Sequence, residues 1–75
     1  MLTLKDAETG HNYEVIKIHG SGAMKRHIMD MGLTKGTALH IRRVAPFGDP
    51  VELTVRGYAL SLPHGDAEIV EITAV

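Results

Sequence analysis

Histidines, methionines and a few acids are the side chains of this 75-residue chain that could do more than pack. His11, His19, His27, His40 and His64 each offer an imidazole that could bind a metal ion. No two stand at the two-, three- or four-residue spacing that places a pair of ligands on one strand or helix face. His64 with Asp66 is the weak candidate that remains for Fe(II) or Zn(II). Met24, Met29 and Met31 would suit a soft ion such as Cu(I). Met24 and Met31 fall on the same helical stripe as Ile28, however, so core packing accounts for them better. With no cysteine there is no thiolate nucleophile, disulfide or Cys-based metal site, a composition that suits the cytosol. Ser21 and Ser61 sit in no nucleophile elbow and no carboxylate pair stands out, so an enzyme is not expected. Gly20-Ser21-Gly22 could cradle an anion at a helix start. It lacks the Gly-Lys-Ser/Thr of a P-loop, and a strand end followed by a Ser N-cap explains it.

Charge bears on partners more than on a reaction, and leaves two readings open. The formal net charge is −1, which argues against a general binder of nucleic acid or anionic membrane. Its distribution is uneven: Lys25, Arg26, His27, Lys35, Arg42 and Arg43 lie in the middle, and Asp66, Glu68 and Glu71 near the end. Lys25 and Arg26 on an exposed helix face, with Arg43, could dock an acidic partner; the competing reading is a solvated surface of mixed charge. Adjacent Arg42 and Arg43 should point to opposite sheet faces unless a bulge intervenes. Phe47 is either an exposed aromatic anchor on a stiff turn or a lid folded over the barrel end. An RNA- or peptide-binding barrel ranks last, since Phe47, Tyr13 and Tyr58 are the only aromatic residues available for stacking.

These residues must be positioned by a small, mainly β frame. A chain this short buries roughly 60% of the surface its unfolded form exposes. Thr3-Leu4-Lys5-Asp6 fits a capping box, with Leu4 and Ala7 facing the core and Gly10 closing the turn. Tyr13–Ile18 reads as the first strand, and 23–31 as a helix burying Met24, Ile28 and Met31. Gly32 and Leu33 suit a Schellman cap. Leu39–Val44 and Val51–Val55 form a hairpin across the stiffened loop Ala45-Pro46-Phe47-Gly48-Asp49-Pro50, in which Asp49 can bond the backbone of the turn. Gly57 marks a bend or bulge before a strand at Tyr58–Leu62. Pro63-His64-Gly65-Asp66 reads as a turn, and Ala67–Ile72 as the last strand, with Val70 and Ile72 inward. Five short strands and one helix imply a small antiparallel barrel, 1–75 forming one domain. The N-terminus is no signal peptide, and no apolar run approaches the roughly 20 residues of a membrane span.

Three stretches in order resemble the FeoA family, the small cytosolic component of bacterial ferrous iron transport. They are Arg26-His27-Ile28-Met29-Asp30-Met31-Gly32-Leu33-Thr34-Lys35-Gly36, then Ala45–Pro50, then Arg56-Gly57-Tyr58-Ala59-Leu60-Ser61-Leu62. The resemblance implies an SH3-like barrel of about five strands with a helix inserted after the first. It also implies a cytoplasmic, non-enzymatic protein acting beside the GTPase permease FeoB, peripheral to the inner membrane through that partner. Lys25, Arg26, Arg43 and Phe47 are the residues expected to contact it. Pro63-His64-Gly65-Asp66 replaces a charged turn often present in the family, so contacts through that turn are not expected. The same fold forms the C-terminal domain of metal-dependent repressors, which makes a module sensing or delivering Fe(II) or Zn(II) the alternative. A starting Met and the lack of DNA-binding helices favour a stand-alone protein over a repressor domain.

Overall fold

The computed structural model describes all residues, Met1–Val75. The chain forms β1 (Asn12–Ile18), α1 (Gly22–Asp30), β2 (Ala38–Val44), β3 (Val51–Val55), β4 (Tyr58–Leu62), a one-turn helix α2 (His64–Ala67) and β5 (Val70–Ala74). Short 3₁₀ turns cover Leu4–Asp6 and Pro46–Gly48. The strands make one antiparallel sheet in the order β4-β3-β2-β1-β5. It is the five-stranded, mainly β architecture expected, with the helix inserted after β1.

Alternation decides which side chains go inside. On β3, Val51, Leu53 and Val55 are buried while Glu52 and Thr54 between them are half-exposed. With Val15, Ile41, Leu62, Val70 and Ile72 they form one apolar cluster. Each such side chain contributes about 1.5–3 kcal/mol by leaving water. The edge of β5 is covered by the N-terminal segment: Ile72 N–H donates to Leu2 O at 2.9 Å, and Thr3 bridges to Glu71. Leu4 and Ala7 are buried as expected.

Two bulges break the alternation. Where β1 meets β5, the register slips between Val15 and Lys17, so Ile16 and Lys17 both face outward before Ile18 turns in again. Where β2 meets β3, the slip falls between Ile41 and Arg43, leaving Arg42 and Arg43 both exposed. A bulge inserts one unpaired residue and re-aims its neighbours. This is the exception foreseen for the two arginines.

α1 ends as expected. Gly32 N–H donates to Met29 O and Leu33 N–H to Ile28 O, a Schellman pair around Gly32 at φ +94°. Gly suits this position, because φ is positive and an added Cβ would lie 2.5 Å from the Tyr58 hydroxyl, which would have to move. That hydroxyl donates to Met31 O. Ser21 occupies the N-cap position, but its side chain makes no capping bond.

Several local readings need correction. Met24 is 48% exposed rather than inward, because only the C-terminal end of this short helix reaches the barrel, through buried Ile28 and half-buried Met31. Gly10 turns the chain into β1 rather than capping the first helical turn, which ends at Ala7. At 3.4 Å, Thr3 Oγ1 meets the Asp6 carboxylate instead of a backbone N–H. Gly57 is half of a tight hairpin turn, not a bulge: Arg56 and Gly57 both have positive φ, and Val55 pairs directly with Tyr58. Pro63–Asp66 continues into α2, and the last strand begins at Val70 rather than Ala67.

Candidate functional site

Two surface regions collect the residues singled out for contact. The first lies where α1 crosses the bulged half of β1. The β1 bulge sets Ile16 and Lys17 side by side on the outer surface. Ile28, fully buried, pins α1 above them, which brings Lys25 and Met29 to the same place. The loop leaving α1 adds Thr34 and Lys35. The result is a groove of about 480 Å³ lined by the apolar side chains Ile16, Ile18 and Met29 and by the lysines Lys17, Lys25 and Lys35. Its one acid, Glu71, is hydrogen-bonded to His19, Nε2 to Oε1 at 2.7 Å. None of the three lysines is in an ion pair, so their charge is available to a ligand. A second depression along α1 shares Lys25 and Met29 and adds Arg26.

The second region is the β2–β3 loop. Pro46 opens a 3₁₀ turn, and Phe47 follows at φ +64°, a left-handed conformation that costs a non-Gly residue about 1–2 kcal/mol. Gly48 N–H closes the turn on Ala45 O at 2.8 Å, and Ala45 N–H donates to Pro50 O at 3.1 Å. Asp49 bonds not the turn itself but the first N–H of α2, at His64, 3.2 Å away. Phe47 therefore stands off the surface, 97% exposed, beside a depression formed with Asp49 and His64. It is not a lid over the barrel.

Of the four residues expected to bind a partner, Lys25 and Arg26 share α1 and Phe47 belongs to the separate loop region. Arg43 is exposed on β2 and spends part of its charge on Glu52, 3.6 Å away. The two regions have no lining residue in common. The lysines at positions 17 and 35 went unremarked in the sequence as groove residues. The β1 bulge was the missing signal, since strict alternation would point Lys17 inward.

The histidines stay dispersed. His11 lies 3.4 Å from Glu8, His19 bonds Glu71, and His40 Nδ1 meets Asn12 Oδ1 at 2.7 Å. No group of three or more His, Asp or Glu side chains is gathered anywhere, so His64 and Asp66 gain no further ligand. A structural zinc site needs four. No Ser or Thr hydroxyl is hydrogen-bonded to a histidine. No helix is long and apolar enough to cross a membrane.

The chain is similar to several known proteins. A Porphyromonas gingivalis Fe(2+) transport protein A/Fe(2+) transporter FeoB fusion protein is 27% identical over 74 residues, 99% of this chain but 9% of that protein. The chain thus spans about a tenth of the length of this curated relative. The solution structure of a FeoA-like protein from Clostridium acetobutylicum is 36% identical, with a TM-score of 0.89 covering 99% of this chain and 86% of that one. At 21% identity the likeness is of fold alone: FeoA from Stenotrophomonas maltophilia, crystallised with zinc and described as a prokaryotic SH3 domain protein, superposes with a TM-score of 0.83 over 97% and 91% of the two chains. The fold also recurs within ScaR, crystallised with bound Zn2+, at 20% identity and a TM-score of 0.89 over all of this chain and 37% of that one. A family model, the FeoA domain, matches residues 2–74, and this chain belongs to the FeoA family.

Proposed function

We propose that this protein is a non-enzymatic accessory of ferrous iron uptake. It docks from the cytoplasm on the cytosolic part of a FeoB-type GTPase permease and modulates that permease's assembly or nucleotide cycle. The observation that carries the reading is the fused relative, in which a segment aligned with nearly all of this chain shares one polypeptide with FeoB. Fusion raises the effective concentration of two domains to the millimolar range, an arrangement that serves domains which meet. That encounter is made through the surface of this domain. Lys25, Arg26, Arg43 and Phe47 are the contact residues proposed, all at least partly exposed. Modulation then follows from unequal affinity for two states of the permease.

Isothermal titration of this protein with the soluble GTPase domain of the matching permease, loaded with GDP or with a non-hydrolysable GTP analogue, tests the reading. Saturable binding supports it, and a difference between nucleotides places the effect in the GTPase cycle. Absence of binding in both states, repeated with the full permease in detergent, contradicts it.

A second reading, a module that binds Fe(II) or Zn(II) to sense or deliver it, draws on the zinc complex of the Stenotrophomonas relative. The residues here do not favour it, since no metal-sized cluster forms. Calorimetry with either ion under reducing conditions separates the two readings: micromolar, stoichiometric binding revives the metal module, and only millimolar binding ends it.

A further inference from the structure

We propose that the α1–β1 groove is the seat of a partner-protein segment that carries a bulky apolar side chain flanked by carboxylates. The inference deepens the reading above and rests on it for the identity of the partner. Its chemistry comes from the groove itself. Ile16 and Met29, 38% and 43% exposed, are apolar surface that the fold leaves in water at a recessed site. Leaving such surface uncovered is unfavourable, and an apolar side chain entering the groove would remove it from solvent. Methionine is suited to this, because its unbranched thioether adapts to whatever enters.

Charge selects the rest of the ligand. Lys17, Lys25 and Lys35 approach the groove from three different elements, β1, α1 and the loop between α1 and β2. The only carboxylate lining it, Glu71, is held by His19. A chain of net charge −1 has thus placed three unpaired lysines around one apolar depression, which acidic residues on either side of an inserted Leu or Phe would complement. Anionic lipid would share the charge preference. The chain as a whole, however, has a net charge of −1 and lacks the general positive excess that a binder of anionic membrane surface carries. A volume of about 480 Å³ falls within the range of roughly 300–1,000 Å³ typical of ligand clefts.

The test is an NMR titration of the ¹⁵N-labelled full chain with a short synthetic peptide in which leucines alternate with glutamates. Its control is the same peptide with lysine for glutamate. The expected result is saturable shifts confined to Ile16–Ile18, Lys25, Met29, Thr34 and Lys35, with none from the lysine peptide. Lys17→Glu with Lys35→Glu should weaken the glutamate peptide at least tenfold, the scale of losing close charge pairs, while the spectrum stays folded because both side chains are exposed. Equal binding of both peptides, shifts centred on the Phe47 loop, or binding to phosphatidylglycerol vesicles without peptide binding would each overturn the proposal. The permease's GTPase domain is titrated in parallel. If it binds with unchanged affinity to the double variant, the groove proposal fails and the accessory reading stands. If it fails to bind while the glutamate peptide seats in the groove, the choice of permease fails and the groove stands.

Discussion

The α1–β1 groove and the Phe47 loop both present apolar atoms to solvent, by opposite means. The groove is a product of the fold: a bulge turns Ile16 and Lys17 outward, and the single buried residue of α1, Ile28, holds the helix over them. The loop is a product of local backbone: a 3₁₀ turn with Phe47 in left-handed conformation pushes the ring away from everything. Binding at the groove must therefore be coupled to stability, whereas binding at the loop should be almost independent of it. Charge separates them as well. Three free lysines surround the groove, while Phe47 has Asp49 and His64 beside it.

The most damaging change should be Ile28→Ala. Truncating a fully buried Ile costs about 2–5 kcal/mol, and here it also releases α1, so urea unfolding should show the loss and the groove resonances should broaden together. Gly32→Ala comes next, at about 2–3 kcal/mol, because a left-handed φ strains alanine and the new Cβ meets the Tyr58 hydroxyl. Gly36→Ala is its control. It has a similar φ of +89° but open space around it, and should cost about 1–2 kcal/mol. Equal losses at the two positions would show that the tyrosine contact contributes nothing. Lys17→Glu with Lys35→Glu should leave unfolding within about 0.5 kcal/mol and reduce affinity for the permease domain about tenfold. That binding should also weaken as salt is raised. Phe47→Ala should have the smallest effect on stability, within about 0.5 kcal/mol, since the ring makes almost no contact, and should weaken docking less than the lysine pair does. A large fall in melting temperature for Phe47→Ala would erase the contrast between the regions.

Much of this frame could be read from residue order because local rules and tertiary packing agree. β3 and β4 begin and end where alternation places them, and Gly32-Leu33 closes α1 by the bonds its sequence implies. The misses share one cause, a distant partner overriding the local pattern. Pro63–Asp66 becomes a helical turn because Asp49, from another loop, caps His64 N–H, and because Ala67 is buried at the far end of that turn. Met24 is exposed because only the C-terminal end of α1 reaches the barrel, which helical periodicity does not reveal. The groove was half legible: Lys25 was singled out, but Lys17 was hidden by a bulge that only the pairing of β1 with β5 creates.

The proposed docking of a cytosolic part of a FeoB-type permease would take place at α1 and β1. The most direct measurement is the ¹⁵N spectrum of the full chain as the permease's GTPase domain is added, with GDP and with a GTP analogue. Shifts are expected at Ile16–Ile18, Lys25, Met29 and Lys35, of different size for the two nucleotides. Shifts confined to Phe47 and its neighbours, or none in either nucleotide state, would contradict it.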